Sequence, residues 1–168
     1  MSDPILRQAL ILDAEPLTVL TIASKAHWGY SKDFMAKALP YLRVTPEQIE
    51  TSHTYVLEVG RRIIGYHQLC PRDARMIWLE SLFVLPDSMG KGYGSRLLDH
   101  ALKLALALGF ERLDFESDPF AEAFYLKHGA IRIGGHESNV LKGRMLPLMR
   151  FDLARFPSPI PADDPAPP

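Results

Sequence analysis

A chain of 168 residues is long enough for one domain with a sizeable core, and 47% hydrophobic with 23% charged residues is the balance of an ordinary globular protein. With a formal net charge of -1 nothing argues for a polyanionic or membrane partner, and the single cysteine, Cys70, excludes an internal disulfide and fits a reducing cytoplasm. Met1 to Gln8 is too polar for a signal peptide, no apolar run reaches membrane-spanning length, and the six histidines are scattered, so a cytoplasmic protein without a metal, a membrane or a nucleic-acid partner is expected.

Leu6 to Leu12 alternates weakly and reads as a first strand. Asp13 is a good N-cap with Pro16 early in the first turn, so a helix follows to about Lys25. The connection Ala26-His27-Trp28-Gly29-Tyr30-Ser31 is rich in aromatic rings, which serve either as packing anchors or as a recognition lid. A second helix runs from Lys32 to about Leu42, with Phe34, Met35, Ala38 and Leu39 on one face. Thr45-Pro46-Glu47-Gln48 opens a short capped turn of helix. From Thr54 the pattern changes to strands. Thr54 to Val59 and Arg62 to Leu69 flank Gly60-Arg61 as a tight hairpin, Pro71-Arg72-Asp73 turns the chain again, and Met76 to Leu85 completes a meander.

After Pro86 comes Met89-Gly90-Lys91-Gly92-Tyr93-Gly94-Ser95. It opens into a helix whose apolar residues, Leu97 to Leu108, recur at helical spacing up to Gly109. Three glycines in five positions let main-chain N–H groups approach a ligand. The first N–H groups of a helix lack intrahelical partners and sit at its positive end, where anions and above all phosphates bind. The spacing Gly-x-Gly-x-Gly is neither the dinucleotide fingerprint nor a P-loop. Phe110 to Glu116 is then a strand parallel to the one before the helix. In the next stretch Asp118 reads as a helix cap with Pro119 at the first position, and Gly129 as the stop. A strand from Ile131 to Gly134, a polar loop from His136 to Arg144 and a last strand through Phe151 complete one domain over 1–153. A proline-rich tail, 154–168, is expected to be disordered, its Pro157-to-Pro168 part being half proline.

The glycine loop resembles the pyrophosphate loop of the GNAT superfamily of acyl-CoA-dependent N-acetyltransferases, whose pattern is Gln/Arg-x-x-Gly-x-Gly/Ala. Met89 stands here where the family has Gln or Arg. Phe124, Tyr125, Gly129 and Ala130 match a second family pattern, Phe-Tyr-x-x-x-Gly-Phe/Ala, in the family's order and at about its separation. The resemblance covers roughly Leu6 to Leu153 and is most specific from Val84 to Ala130. It implies an α/β fold: a mixed, mostly antiparallel central sheet with helices on both faces, in which the parallel strands either side of the glycine-loop helix splay apart. It also implies acetyl-CoA as the acyl donor co-substrate and transfer of its acetyl group to an amine of a small molecule or peptide.

Attack of an amine on a thioester needs a base for the amine, whose free form titrates near pH 10.4, donors for an oxyanion, and an acid for the departing thiolate. By the resemblance Tyr125 is the acid, with a core tyrosine as the alternative. Glu80 interrupts an apolar strand, where an ionisable group must face a cleft or find a partner, and the family often places its base on this strand. Strand alternation puts Glu80, Leu82 and Val84 on one side. His27 and His67 are the fallback bases. The resemblance further implies that the main chain of Leu82 and Val84 pairs with the pantetheine arm, that the amide of Phe83 or its neighbour holds the thioester oxygen, and that amides from Met89 to Ser95 hold the pyrophosphate. Ser117 and Phe124 belong to the same coenzyme set, and Lys127 either reaches the 3′-phosphate or is an exposed helix lysine. Acceptor contacts fall to Trp28, Tyr30, Phe34 and Arg144. Arg144 would grip a substrate carboxylate, cap a helix or meet Asp152. A non-catalytic acyl-CoA sensor is the alternative function, and homodimerisation is left open. A hydrolase built on Cys70 and His67 fails, because that spacing puts the two side chains on opposite faces of a strand.

Overall fold

The computed structural model describes residues 2–156, so the proline-rich stretch from Pro157 to Pro168 lies outside the described residues. Seven strands form one sheet: β1 (Ile5–Gln8), β2 (His53–Val59), β3 (Arg62–Pro71), β4 (Met76–Val84), β5 (Arg112–Glu116), β6 (Ile131–Glu137) and β7 (Met145–Asp152), in the order β1-β2-β3-β4-β5-β7-β6. All neighbours are antiparallel except β4 and β5, which are parallel and joined through α4 (Tyr93–Ala107). The expected mixed sheet with one parallel pair is the one observed.

Helices cover both faces. On one, α4 lays Leu98, Ala101, Leu102 and Ala105 against Ile77, Leu79, Leu113, Phe115, Met149 and Phe151, and Tyr125 of α5 (Glu122–Lys127) joins this core. On the other, Leu17 and Leu20 of α1 (Ala14–Ala26) pack on Val56 and Tyr66 together with Ile49 of α3 (Pro46–Thr51). Beside them α2 (Lys32–Leu42) buries Phe34, Ala38 and Leu42 at helical spacing, whereas Leu39 stays half-exposed, off the buried face.

Several boundaries differ from the sequence reading, each for a local reason. The first strand stops at Gln8, because Arg7 and the Leu10 N–H draw Asp13 back into a turn of 3-10 helix. Asp13 therefore closes that turn and makes no side-chain cap to α1. The helix expected to follow an Asp118 cap begins at Glu122: Asp118 accepts from the Phe120 N–H at the head of a turn over 119–121, and its carboxylate is also held by Lys25 and Tyr30. The sixth strand runs on to Glu137, paired with Met145, which shortens the loop to 138–144. Phe156 still packs edge-on against Phe151, so the packed chain continues past Leu153.

Two irregularities of β4 shape everything that follows. Gln68 pairs with Ser81 but Leu69 pairs with Leu79, so Glu80 is the extra residue of a β-bulge. The bulge resets the alternation. Ile77 and Leu79 face α4 before it and Leu82 and Val84 after it, while Ser81 and Phe83 turn toward α1 and Tyr66. The expectation that Glu80 shares a face with Leu82 and Val84 is thus overturned: Glu80 lies with Ser81, Phe83 and Thr21 on the α1 side. Second, β4 and β5 pair only through Met76, Ile77 and Trp78, opposite Arg112, Leu113 and Asp114. Beyond Asp114, β5 follows β7, to which Arg150 ties it by two 2.7 Å hydrogen bonds to that buried carboxylate. The two parallel strands part there.

Candidate active site

The opening between β4 and β5 is a cleft of about 770 Å³. Its walls include Trp78 to Val84 of β4 and Phe115 to Asp118 at the end of β5. Met89, Gly90, Gly92, Gly94 and Ser95 form one rim, and Trp28, Phe34, Val140 and Arg144 another. The segments expected to serve coenzyme and acceptor therefore meet at one cavity. Lys91 and Tyr93 are the exceptions in the glycine loop: neither side chain lines the cleft, and Tyr93 packs beside Leu97 and Val84. Lys127 lines it.

At the glycine rim the main chain adopts left-handed angles at Gly90 (φ 74°) and Gly92 (φ 83°), and Gly92 directly precedes the first turn of α4. A Cβ on either glycine would meet no protein atom within 4 Å, so both backbones look into open space. No side chain caps α4, which leaves its first N–H groups for a ligand. Gly94 lies over the ring of Phe124. His128 links α5 to α4 through Phe124 O (2.7 Å) and Ser95 Oγ (2.9 Å), fixing the rim against the helix that carries Tyr125. Beyond Trp78 the β4 edge facing β5 has no strand partner, and Ser117 lies buried at the mouth. These features fit a phosphate-bearing ligand with an extended arm.

Tyr125 is buried against Phe115, ring centroids 4.4 Å apart, and reaches the cleft from the α4 side. Its hydroxyl has no hydrogen-bond partner among the described residues. Burial, with the negative charge of Asp118 added, pushes the phenol well above its ordinary value, so it stays protonated and able to donate. Glu80 reaches the same cleft from the α1 side, half-exposed and 3.2 Å from Arg72. The fallback histidines do not reach it. His27 packs on Trp28, and His67 lies under α4, bonded to His100 (2.8 Å) and driven down to about 3 by burial and the charges of His100 and His53. Cys70 sits on β3 opposite Trp78, its thiol raised by burial and by Glu80.

At the other end of the cleft stands a cluster that sequence reading reached only in part. Asp118, just after β5, accepts from Lys25 Nζ (2.5 Å), from the Tyr30 hydroxyl (2.8 Å), from the Phe120 N–H (3.0 Å) and from Arg144 (3.4 Å). Arg144 also donates to the Tyr30 hydroxyl and lies over the rings of Tyr30 and Phe34, while Trp28 stacks on Phe120. Burial raises Asp118, but the bond and charge of Lys25 outweigh it and hold the carboxyl below its usual range. Lys25 too is lowered, burial outweighing Asp118. Tyr30 is pushed up to about 12 by burial and Asp118. Of the four expected acceptor residues, Trp28, Phe34 and Arg144 line the cleft, whereas Tyr30 stands behind as a strut. Arg144 meets Asp118 and not Asp152, which pairs with Arg155. Lys25 and Asp118 are additions. Their signal was the pair of charges flanking the aromatic connection and following β5, but nothing in the spacing joins them. Among the described residues no group of acidic, histidine or cysteine side chains could hold a metal, and no helix is long and apolar enough to cross a membrane.

Comparison with known proteins places this geometry. A profile of the acetyltransferase (GNAT) family matches residues 22–130. A search of curated proteins finds no match. Among solved structures, a GCN5-related N-acetyltransferase from Rhodopseudomonas palustris is similar, with a TM-score of 0.74 and 23% identity over 90% of this chain and 97% of that one. PaiA N-acetyltransferase from Thermoplasma acidophilum, solved with coenzyme A, has a TM-score of 0.74 and 18% identity over 89% and 99%. YncA from Salmonella typhimurium, solved with acetyl-CoA, has a TM-score of 0.66 and 19% identity over 95% and 99%. At these identities the structural likeness concerns the fold.

Proposed function

The chain belongs to the GNAT acetyltransferase family, and on that premise we propose that it transfers an acetyl group from acetyl-CoA to the amine of a small molecule or peptide in the cytoplasm. The observation that carries the reading is the cleft itself. It runs between parted parallel strands, with a glycine rim at a helix N-terminus on one side, an unpartnered phenol reaching in from the α4 face and a carboxylate from the α1 face. Solved relatives of this fold hold coenzyme A or acetyl-CoA, which supports the choice of donor.

Acetyl-CoA supplies the activated thioester carbonyl. The chain's residues divide the rest. N–H groups from Met89 to Ser95 hold the pyrophosphate, the free edge of Leu82 and Val84 aligns the arm, Phe124 and Ser117 wall it, and the Phe83 main chain orients the carbonyl oxygen. Glu80, directly or through a water, takes the proton of the amine, whose nitrogen forms the new bond to the acetyl carbon as the carbon–sulfur bond breaks. Tyr125 gives its proton to the departing sulfur. The β4 bulge gives the division a physical basis. Alternation from Leu79 puts Glu80 on the α1 face and the bulge returns Leu82 to the α4 face, so base and acid approach from opposite sides of the parted strands.

The test is thiol release from acetyl-CoA across a panel of amines, beside calorimetric titration with coenzyme A. Turnover with any amine supports the enzyme. Tight coenzyme binding without turnover on a broad panel returns the chain to an acyl-CoA sensor, and failure to bind removes both readings.

A further inference from the structure

Resting on the acetyl-transfer reading, the chemistry of the acceptor follows from the cluster at the far end of the cleft. Lys25, Arg144 and Asp118 place two positive charges against one negative in side chains only 13% to 15% exposed. The carboxylate is saturated, with Lys25, Tyr30, Phe120 and Arg144 all donating to it. The cations are not. Lys25 gives one of its three donors to Asp118, and Arg144 gives only Nη2, leaving Nη1 and Nε without a partner among the described residues. Both side chains line the cavity. One net positive charge held nearly out of water is costly unless an anion completes it, and a guanidinium fork suits a carboxylate.

The surrounding walls narrow the ligand further. Trp28, Phe34, Tyr41, Leu42 and Phe120 give an apolar flank, and the carboxylates of the cleft, Glu80 and Glu116, come from β4 and β5. Both have partners at the surface, the Arg72 guanidinium for Glu80 and the His136 ring for Glu116. A single negative charge balances the cluster, whereas a phosphate dianion would overshoot it. We propose that the acceptor is an amine that also carries a carboxylate, gripped by Lys25 and Arg144, with an apolar body along the Trp28–Phe34–Phe120 wall and its amino group toward Glu80. Lys25 and Arg144 are specificity residues in this account, and the acetyl-transfer step is the one given above.

The experiment compares L-leucine, L-methionine and L-phenylalanine with their methyl esters, with the matching amines that lack the carboxylate, and with O-phosphoethanolamine, by acetyl-CoA-dependent thiol release. The free acids should exceed esters and plain amines by about tenfold or more in kcat/KM, the worth of one charge-assisted hydrogen bond. Arg144→Gln and, separately, Lys25→Met should shrink that acid-to-ester ratio, mainly through KM of the acids. Because the readout is a ratio, a variant that is merely less stable still reports. Equal or better turnover of esters, plain amines or the phosphate amine overturns the inference while leaving acetyl transfer standing. So does an Arg144→Gln enzyme that slows acids and esters alike, which would make the cluster a structural clasp only. If nothing on the panel is acetylated although coenzyme A binds, titration of the coenzyme complex with L-phenylalanine and its ester decides, and absence of acid binding overturns it too.

Discussion

On its α4 side the cleft is walled by short stretches close in sequence, Leu82 and Val84, Met89 to Ser95, and Phe124 with Tyr125, and what it offers a ligand there is largely main chain: a free strand edge, two left-handed glycines and the start of a helix. On its α1 side the wall is made of side chains brought from far apart, Lys25 held to Asp118 across 93 positions and Arg144 held to the supporting Tyr30 across 114. Main-chain recognition tolerates change in side chains, so the first wall can be shared among proteins with different acceptors. Side-chain recognition changes with each substitution, so under the acetyl-transfer reading proposed above the second wall is the one expected to select the acceptor.

The largest expected effect tests whether the α4 side does chemistry as well as binding. Tyr125→Phe removes one hydroxyl that has no hydrogen-bond partner among the described residues, so stability and coenzyme A affinity should hold. Turnover should fall by about 10²- to 10⁴-fold, the usual worth of a general acid. Steady-state rates beside a coenzyme A titration check both halves, and a variant within twofold of the parent would leave Tyr125 a core residue only.

On the α1 side the corresponding loss is in stability. Asp118→Ala leaves Lys25 and Arg144 facing each other nearly buried, and removing one partner of such a group costs roughly 3 kcal/mol or more. Urea unfolding should show it, with coenzyme A affinity of the folded protein nearly kept. The pH dependence has a definite sign. Asp118 titrates below its ordinary range in the folded protein, so its contribution is present above about pH 4 and is lost as the pH falls through the lowered value. The Asp118→Ala protein should lack that acid-side loss.

The same contrast explains what could be read from the sequence. The glycine rim, the parallel crossover and the place of Tyr125 on the cleft were legible, because each is read along one uninterrupted stretch of chain. The partnership of Lys25 with Asp118 was not, since it exists only after α1 and the end of β5 are brought together across the sheet. Asp118 was read only as a helix cap for the same reason: Asp-Pro predicts a cap locally, and the carboxylate does accept from the Phe120 N–H, but its bonds to Lys25, Tyr30 and Arg144 come from far along the chain. Glu80 was found by its chemistry but put on the wrong face, because one extra residue in a strand inverts every later assignment and alternation alone gives no warning of it.

Glu80 sits where the two sides meet, so its replacement asks which of them controls the acceptor's proton. In Glu80→Gln the hydrogen-bonding shape is kept and the proton acceptor is lost. A fall of about 10²-fold near neutral pH, at the low end for a base that is half-exposed and paired, is the expected size. The rate should recover in part at high pH, where the amine loses its proton unaided. A pH profile equal to the parent's on a confirmed acceptor would remove Glu80 from the mechanism.

The smallest effect is the most direct check that main chain, not side chain, makes the donor wall. Gly92 and Gly109 have nearly the same left-handed angle, φ 83° and 88°, and an added Cβ meets no protein atom within 4 Å at either. Alanine at each should therefore cost a similar amount of stability, about 1 kcal/mol for an L-residue held in that region. The two differ in place. Gly92 precedes the first turn of α4 on the cleft rim, whereas Gly109 follows the far end of that helix and lines no part of the cleft. Gly92→Ala should weaken coenzyme A by about tenfold beyond its stability cost, because the new methyl group occupies the space the ligand must approach. Gly109→Ala should leave the affinity unchanged. Paired unfolding and calorimetry separate strain from contact: equal stability losses with unequal affinities locate the ligand at the rim, and equal affinities would move it elsewhere in the cleft.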